Sequence, residues 1–424
     1  MSDSTPTVAL LGTCDTKLDE LLYIREQLLE RHSVKVTLID VGRDASTHPA
    51  VNITQSAILT SSGEPIPPPL HDLPRNEVIS MLIKHVSPVL KRLYDLGSIH
   101  AILAIGGSGG SSLAAGAMRS LPLGFPKLLV STMAAGDVSP YVSDGDVTIM
   151  YSVVDIAGLN DILRPILANA AGAAAGMAHA YHERRSSSRD VTSGPEGRPR
   201  RIAITMFGVT TPAVSHARVL LESYPCTSYV FHATGAGGRA LERLVSEGFF
   251  DGVLDLTTTE LADLLVGGVL SAGPDRLTAA ARMKVPQVVS LGALDMVNFG
   301  PRDTVPEKFK GRRLVEHNPS VTLMRTARDE CLRIGEDIAK KLREADPEKT
   351  EVWVPKAGLS VLDVEGAPLR DSDADKALFQ TVEDGLRDSG IKVVVHDKDI
   401  NDKEFVAGMV DRLVHMMRMS RKKQ

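Results

Sequence analysis

Two short stretches of the 424-residue chain combine bare backbone with the side chains that anion chemistry needs. The first, Gly12-Thr13-Cys14-Asp15-Thr16-Lys17, follows an apolar run and leads into a helical pattern. A glycine there permits a tight turn, and a helix start presents free N–H groups to an anion. Thr13 and Thr16 add hydroxyls, Lys17 can place a point charge on a phosphate, and Asp15 can take a divalent cation. The second stretch, Gly106-Gly107-Ser108-Gly109-Gly110-Ser111-Ser112, sets four glycines among five residues. Side-chain-free backbone approaches a phosphate closely, successive N–H groups form a concave nest, and Ser108 and Ser111 add donors. The spacing is neither that of the P-loop nor the dinucleotide fingerprint. Two more turns complete the set. Asp40-Val41-Gly42-Arg43 places an acid where it can meet a ribose hydroxyl or cap its own turn. Ser131-Thr132-Met133-Ala134-Ala135-Gly136-Asp137 closes another apolar run.

The second half repeats this pattern and adds acid–base groups: His232, Asp255, Glu260, Asp295 and His317. His232 opens a glycine-rich turn, His232-Ala233-Thr234-Gly235-Ala236-Gly237-Gly238. These groups suit proton transfer in a second small-molecule site, expected in a cleft between domains, or a structural role at strand ends. Nucleophile chemistry has less behind it. Ser108 lacks the elbow spacing and a partner histidine. Cys14, at a helix start, is expected to have a lowered thiol pKa. His179 and His182 share one helical segment without a third metal ligand, which leaves Asp15 as the metal candidate.

Short continuous apolar runs position these turns: Thr7–Leu11, Val34–Asp40, Ile99–Ile105, Lys127–Ser131 and Val147–Tyr151, then Arg201–Phe207, Ser228–Phe231, Gly252–Leu256 and Gln287–Leu291. Such runs fit strands buried on both faces of a parallel sheet. Helical patterns alternate with them at Leu18–Arg31, Arg75–Leu96, Ala213–Ser223 and Arg239–Glu247, as right-handed βαβ units require. A long helix is expected over about Asp155–His182 in the first half and over Val321–Ala345 in the second. The last part of the chain supplies a strand at Ile391–Val395 and helices near Ala374–Arg387 and Asp402–Met419, the last expected to cross back to the first domain. The composition turns to Ser, Gly, Pro and Arg around residues 185–200, which reads as a linker. The fold class is α/β: two Rossmann-like, doubly wound domains with mainly parallel sheets, residues 1–184 and 201–424, joined by that linker. The insertion Ser46–Leu73, with Glu64-Pro65-Ile66-Pro67-Pro68-Pro69-Leu70, is expected at the surface or at a subunit contact.

Charge and cysteine usage exclude several classes. The 48 basic and 53 acidic residues give −5, which argues against nucleic-acid binding by bulk charge. Three cysteines without paired spacing exclude a disulfide framework. There is no basic n-region with an apolar h-region and no apolar run of membrane-spanning length, so a cytoplasmic protein is expected.

The segments VALLGTCDTKLDEL, LAIGGSGGSSLAAGAM, LLVSTMAAGD, VTIMYSVVDIAGLN, MFGVTTP, VFHATGAGGRALERL, LDLTTTEL and EHNPSVTLMRT resemble, in order, the Tm-1-like, UPF0261 family. The resemblance spans nearly the whole chain. It implies two Rossmann-like domains, a homodimer, and ATP with Mg²⁺ held by the first domain. The residues implied are Gly12, Thr13, Asp15, Thr16 and Lys17, the loop Gly106 to Ser112, and the turn with Thr132, Met133, Ala134 and Gly136. The resemblance names no reaction. A nucleotide-binding module is the first reading, and a small-molecule enzyme (a hydrolase, lyase or ATP-dependent transferase) is the alternative.

Overall fold

The apolar runs of the first half become β1 (Thr7–Gly12), β2 (Lys35–Asp40), β3 (Ala101–Gly106), β4 (Lys127–Ser131) and β5 (Thr148–Tyr151). They pair in parallel in the order β2-β1-β3-β4-β5. The computed structural model describes residues 5–187 and 198–422, and the chain divides into two units, Met1–Thr192 and Ser193–Gln424. In the first unit, Val8 and Leu10 of β1 face one core and Ala9 and Leu11 face the other. Helices cover both faces, so alternation is lost and the strands read as unbroken apolar runs. The helices are α1 (Leu18–Glu26), α2 (Gln55–Ser61), α3 (Arg75–Asp95), α4 (Ser108–Met118), α5 (Ser139–Val142) and α6 (Leu163–Ser187).

Two local expectations need correction here. The helix read through Arg31 is α-helical only to Glu26 and ends in a π-helical turn, Gln27–Arg31. The long helix begins at Leu163, not near Asp155. Gly158 takes φ +91°, and the Asn160 side chain accepts from the Ile162 and Leu163 N–H groups at 3.0 and 2.9 Å, which caps the helix there. The linker read at 185–200 falls mostly outside the described residues: α6 runs to Ser187 and the next strand starts at Arg200.

The second unit contains β6 (Arg200–Met206), α7 (Thr211–Leu221), β7 (Cys226–His232), α8 (Ala236–Ser246), β8 (Gly252–Thr257), α9 (Glu260–Val266), α10 (Ala279–Arg282) and β9 (Gln287–Gly292). It continues through β10 (Met296–Phe299), β11 (Leu314–Asn318), β12 (Val321–Arg325), α11 (Arg328–Leu342), β13 (Thr350–Pro355), α12 (Ser372–Leu386), β14 (Lys392–His396) and α13 (Lys403–Met416). The main sheet is parallel, in the order β14-β13-β9-β8-β6-β7. Counted within each sheet from its own first strand, the first runs 2-1-3-4-5 and the second 2-1-3-4-5-6, so each reverses strand order between its first and third strands. Ligands bind at that reversal, beyond the carboxyl ends of the strands.

Two expectations fail in the second unit. The stretch read as one helix over Val321–Ala345 opens as β12, the centre of a small antiparallel sheet ordered β10-β12-β11. The helix starts only at Arg328, where the Glu330 carboxylate accepts from the Ala327 N–H at 2.7 Å. The final helix α13 packs in its own unit, with Met409 and Leu413 in one core with Leu221 of α7 and Ile204 of β6.

Candidate functional site

Parallel register aligns the strand ends of the first unit: Gly12 lies beside Asp40, and Gly106 beside Ser131. The turns that follow surround a cavity of about 900 Å³. Thr13, Asp15, Thr16 and Lys17 line it from the turn after β1, Gly107, Ser108, Gly109 and Gly110 from the turn after β3, and Thr132 and Met133 from the turn after β4. The amides of Ser108, Gly109 and Gly110 open α4, whose first helical bond is Ser111 N–H to the Gly107 carbonyl at 2.8 Å. Those three N–H groups therefore have no partner in the helix. Gly107 is the open point of the cradle: a Cβ there meets only the Thr132 Oγ1, at 3.8 Å. Lys17 donates one of its three N–H bonds to the Ile156 carbonyl, at 2.5 Å.

Other groups on this wall were not anticipated from the sequence. Arg75, the first residue of α3, lays its guanidinium against Gly109, where a Cβ would come within 2.9 Å of it. Val78, Ile79 and Leu82 continue the same face of α3, and Leu113 of α4 joins them. The signal was present as the spacing i, i+3, i+4, i+7 from Arg75, but an amphipathic helix face gives the same pattern. Arg43 also lines the cavity. Its guanidinium is taken up by the Leu70, His71 and Leu73 carbonyls, and it holds the approach to α3 in place. Three cations, Lys17, Arg43 and Arg75, share the wall with three acids, Asp15, Asp44 and Asp155.

Several expected ligands do not reach the wall. Asp40 is fully buried and accepts from the Cys14, Gly42 and Ser46 N–H groups at 3.1, 2.9 and 2.9 Å, so it ties turns together and does not face a ribose. Ser111 is buried and bonded to the Ser131 hydroxyl at 2.6 Å and to the Gly106 carbonyl at 3.2 Å. Gly12, Gly42 and Gly106 serve close packing: a Cβ would strike Leu21, the Asp15 carboxylate and the Gly110–Ser111 backbone, respectively. Ala134 and Gly136 shape a turn closed by Gly136 N–H to the Met133 carbonyl at 3.2 Å. Asp15 lines the cavity while accepting from the Arg43 and Asp44 N–H groups at 2.8 and 3.2 Å. The Cys14 thiol is not activated: burial, then the Asp40 and Asp15 carboxylates, push it up to about 12.

At the corresponding reversal of the second unit the protein fills the space with its own groups. Arg276 is fully buried and grips Asp255 of β8 through two bonds of 2.6 Å, with Glu260 on its Nε at 2.7 Å and Glu242 at 3.3 Å. Burial opposes its charge, but these three carboxylates outweigh that and hold its pKa well above the usual value. The glycine-rich turn after β7 is occupied too. The Gly235 and Gly238 N–H groups donate to the Glu260 carboxylate at 2.7 and 3.0 Å. The proton-transfer candidates Asp255 and Glu260 are thus bound into one internal ion cluster. His232 is exposed and meets the Phe207 ring edge-on at 5.5 Å, and His317 is exposed on β11; neither joins that cluster. Asp295 lies in a second buried cluster. It accepts from the Ser360 hydroxyl at 2.8 Å, and Arg325 and Arg370 bridge nearby to Asp375 and Asp363. Burial, then the Asp363 carboxylate, push Asp295 up to about 7, and burial pushes Asp375 up to about 8 against the pull of Arg325.

The N-terminal domain of an uncharacterised protein family, UPF0261, matches residues 6–183, and the C-terminal domain of the same family matches residues 199–417. The chain belongs to the UPF0261 family. A UPF0261 protein of Clostridium tetani is 43% identical over 97% of this chain and 98% of its own length. One from Mesorhizobium japonicum is 41% identical over 96% of this chain and 99% of its own. The ToMV resistance protein Tm-1 of Solanum lycopersicum is 37% identical over 99% of this chain, which spans 57% of the tomato protein. Among the described residues of this UPF0261 protein, no helix is long and apolar enough to cross a membrane. No group of three or more His, Cys, Asp or Glu residues among them could hold a metal ion.

Proposed function

We propose that this UPF0261 protein binds a nucleoside triphosphate, ATP, through the cavity of its first unit. The observation that supports this reading is the convergence of unpartnered amides at the start of α4 with Lys17 and Arg75 at the edge where a parallel sheet reverses strand order. The cavity volume falls in the range of small-molecule sites, and its aliphatic wall offers a surface for a base. Mg²⁺ fits as a joint ligand of protein and phosphate. Among the described residues no cluster supplies three metal-binding side chains, and Mg²⁺ is commonly held by one or two carboxylates plus phosphate oxygens. Asp15, a hard-oxygen donor on the wall, would be its protein ligand, and the metal would neutralise phosphate charge. The binding reading needs no catalytic residue, and the ion-paired state of Asp255 and Glu260 gives the enzyme alternative no support from those two groups.

Calorimetric titration with Mg²⁺-ATP tests this. Lys17→Ala and Arg75→Ala should each cost about 2 kcal/mol, roughly thirtyfold in Kd, with the circular dichroism unchanged. Gly107→Val, which fills the cradle, should abolish binding. Wild-type affinity in all three variants, or no binding by the wild type, overturns the proposal.

A further inference from the structure

We infer that this site holds a nucleoside polyphosphate by its phosphates and leaves the identity of the base unread. The inference rests on the nucleotide reading above and narrows it. Polar side chains reach the cavity from the strand-end turns and from the first residues of α3 and α4. Beyond Arg75, α3 offers Val78, Ile79 and Leu82, and α4 offers Leu113. The backbone groups of these four residues lie inside helices and are already bonded there.

On the loop side Asp155 turns one carboxylate oxygen to the Ile156 N–H at 2.8 Å, and most of the neighbouring backbone groups are bonded within the protein. The Met133 N–H donates to the Ser131 hydroxyl at 3.0 Å, and its carbonyl accepts from Gly136. The Val154 N–H donates to the Ser152 carbonyl at 2.7 Å, and its own carbonyl accepts from the Ser152 hydroxyl at 2.7 Å. Between them Val153 stands at φ +64°, the centre of a γ-turn of the strained, positive-φ kind, in a region a β-branched residue avoids. Its side chain is 57% exposed and lines the cavity. C-terminal to the turn, the loop is tied to the start of α1 by Lys17 to the Ile156 carbonyl and by the Gly158 N–H to the Glu20 carboxylate at 2.6 Å. The one strained residue on this wall thus presents an aliphatic side chain to the cavity. Sites that read a ligand by hydrogen bonds discriminate by four to five orders of magnitude, whereas aliphatic pockets discriminate weakly.

The test is calorimetric titration of the full chain with ATP, GTP, CTP, UTP and inorganic tripolyphosphate, each with Mg²⁺, on wild type and Val153→Gly, with melting temperatures of both apo proteins. The four nucleotides should bind within about tenfold of one another, and tripolyphosphate more weakly than any of them. Val153→Gly should raise the apo melting temperature by releasing the turn. It should weaken all four nucleotides by a similar factor and leave tripolyphosphate unchanged. Preference for one base by more than about a hundredfold overturns the inference and leaves nucleotide binding standing. Tripolyphosphate binding as tight as the nucleotides, or nucleotide affinities untouched by Val153→Gly, overturns it as well, because the aliphatic wall then makes no contact. Failure of every probe to bind removes the nucleotide reading itself.

Discussion

Glu260 shows how one side chain can close a site that the sequence advertises as open. Its carboxylate takes two amides of a glycine-rich turn and the Nε of Arg276, the groups an anionic ligand would otherwise use. Glu260→Ala should therefore leave three buried donors short of a partner and cost about 3 kcal/mol in urea unfolding, with part recovered by acetate or formate as a replacement anion. Asp255→Asn should be at least as costly, because it leaves the guanidinium's closest carboxylate uncharged. Asp295 makes a different test. Its folded-state pKa of about 7 stands above the ordinary 3.8, so the native state holds the proton more tightly than the unfolded chain does. That contribution is fully present below about pH 4 and is lost as the pH rises to about 7. Asp295→Asn keeps an acceptor for Ser360 and cannot ionise. It should flatten this part of the stability–pH curve and exceed wild-type stability at pH 8, as measured by chemical denaturation across that range. A variant curve parallel to wild type puts the titration on another group.

The turn after β3 separates packing from recognition within one element. At Gly106 a Cβ would lie 2.6 Å from the Gly110 carbonyl carbon and 2.7 Å from the Ser111 nitrogen, both backbone atoms that cannot move aside. At Gly107, one residue on, the same atom enters the cavity. Gly106→Ala should thus lose about 2 kcal/mol of stability, whereas Gly107→Ala should keep its stability and lose nucleotide affinity. Denaturation and titration on the pair decide it; equal losses of stability would make the glycine run purely structural. The sequence made this turn legible because four glycines among five residues mark a close approach to the backbone, by packing or by a ligand. The strands were legible because burial on both faces leaves unbroken apolar runs. The α3 wall was not: Arg75 and its following aliphatics lie about 30 residues before the glycine run they pack beside, and nothing local marks their partner. The antiparallel sheet was lost for the opposite reason. β10 and β12 are four and five residues long, and the capped start of α11 follows β12 almost at once, so one apolar stretch reads as one helix. Asp40 and Ser111 tie together the turns around the cavity, and spacing alone does not separate such a buried tie from a ligand.

Across the whole chain, one strand order is used twice with opposite outcomes. The first unit leaves its reversal point open and lined by Lys17, Arg75 and free amides, while the second fills its own with Arg276 and three carboxylates. Of the two reversal points, the first is therefore the one open to a ligand that needs bare amides and cations. Saturating Mg²⁺-ATP should slow amide exchange in the turns after β1 and β3, along the first turns of α3 and in the loop around Val153. Exchange in residues 234–238 and 257–260 should stay at its ligand-free rate, since the Thr234, Gly235, Gly238, Thr257 and Thr258 amides are already held by the protein's own groups. Hydrogen-exchange mass spectrometry on the full chain resolves these segments. Protection in residues 234–238 would mean that a nucleotide displaces Glu260 from its nest, and the ion cluster would then be a gated second site in place of a sealed one.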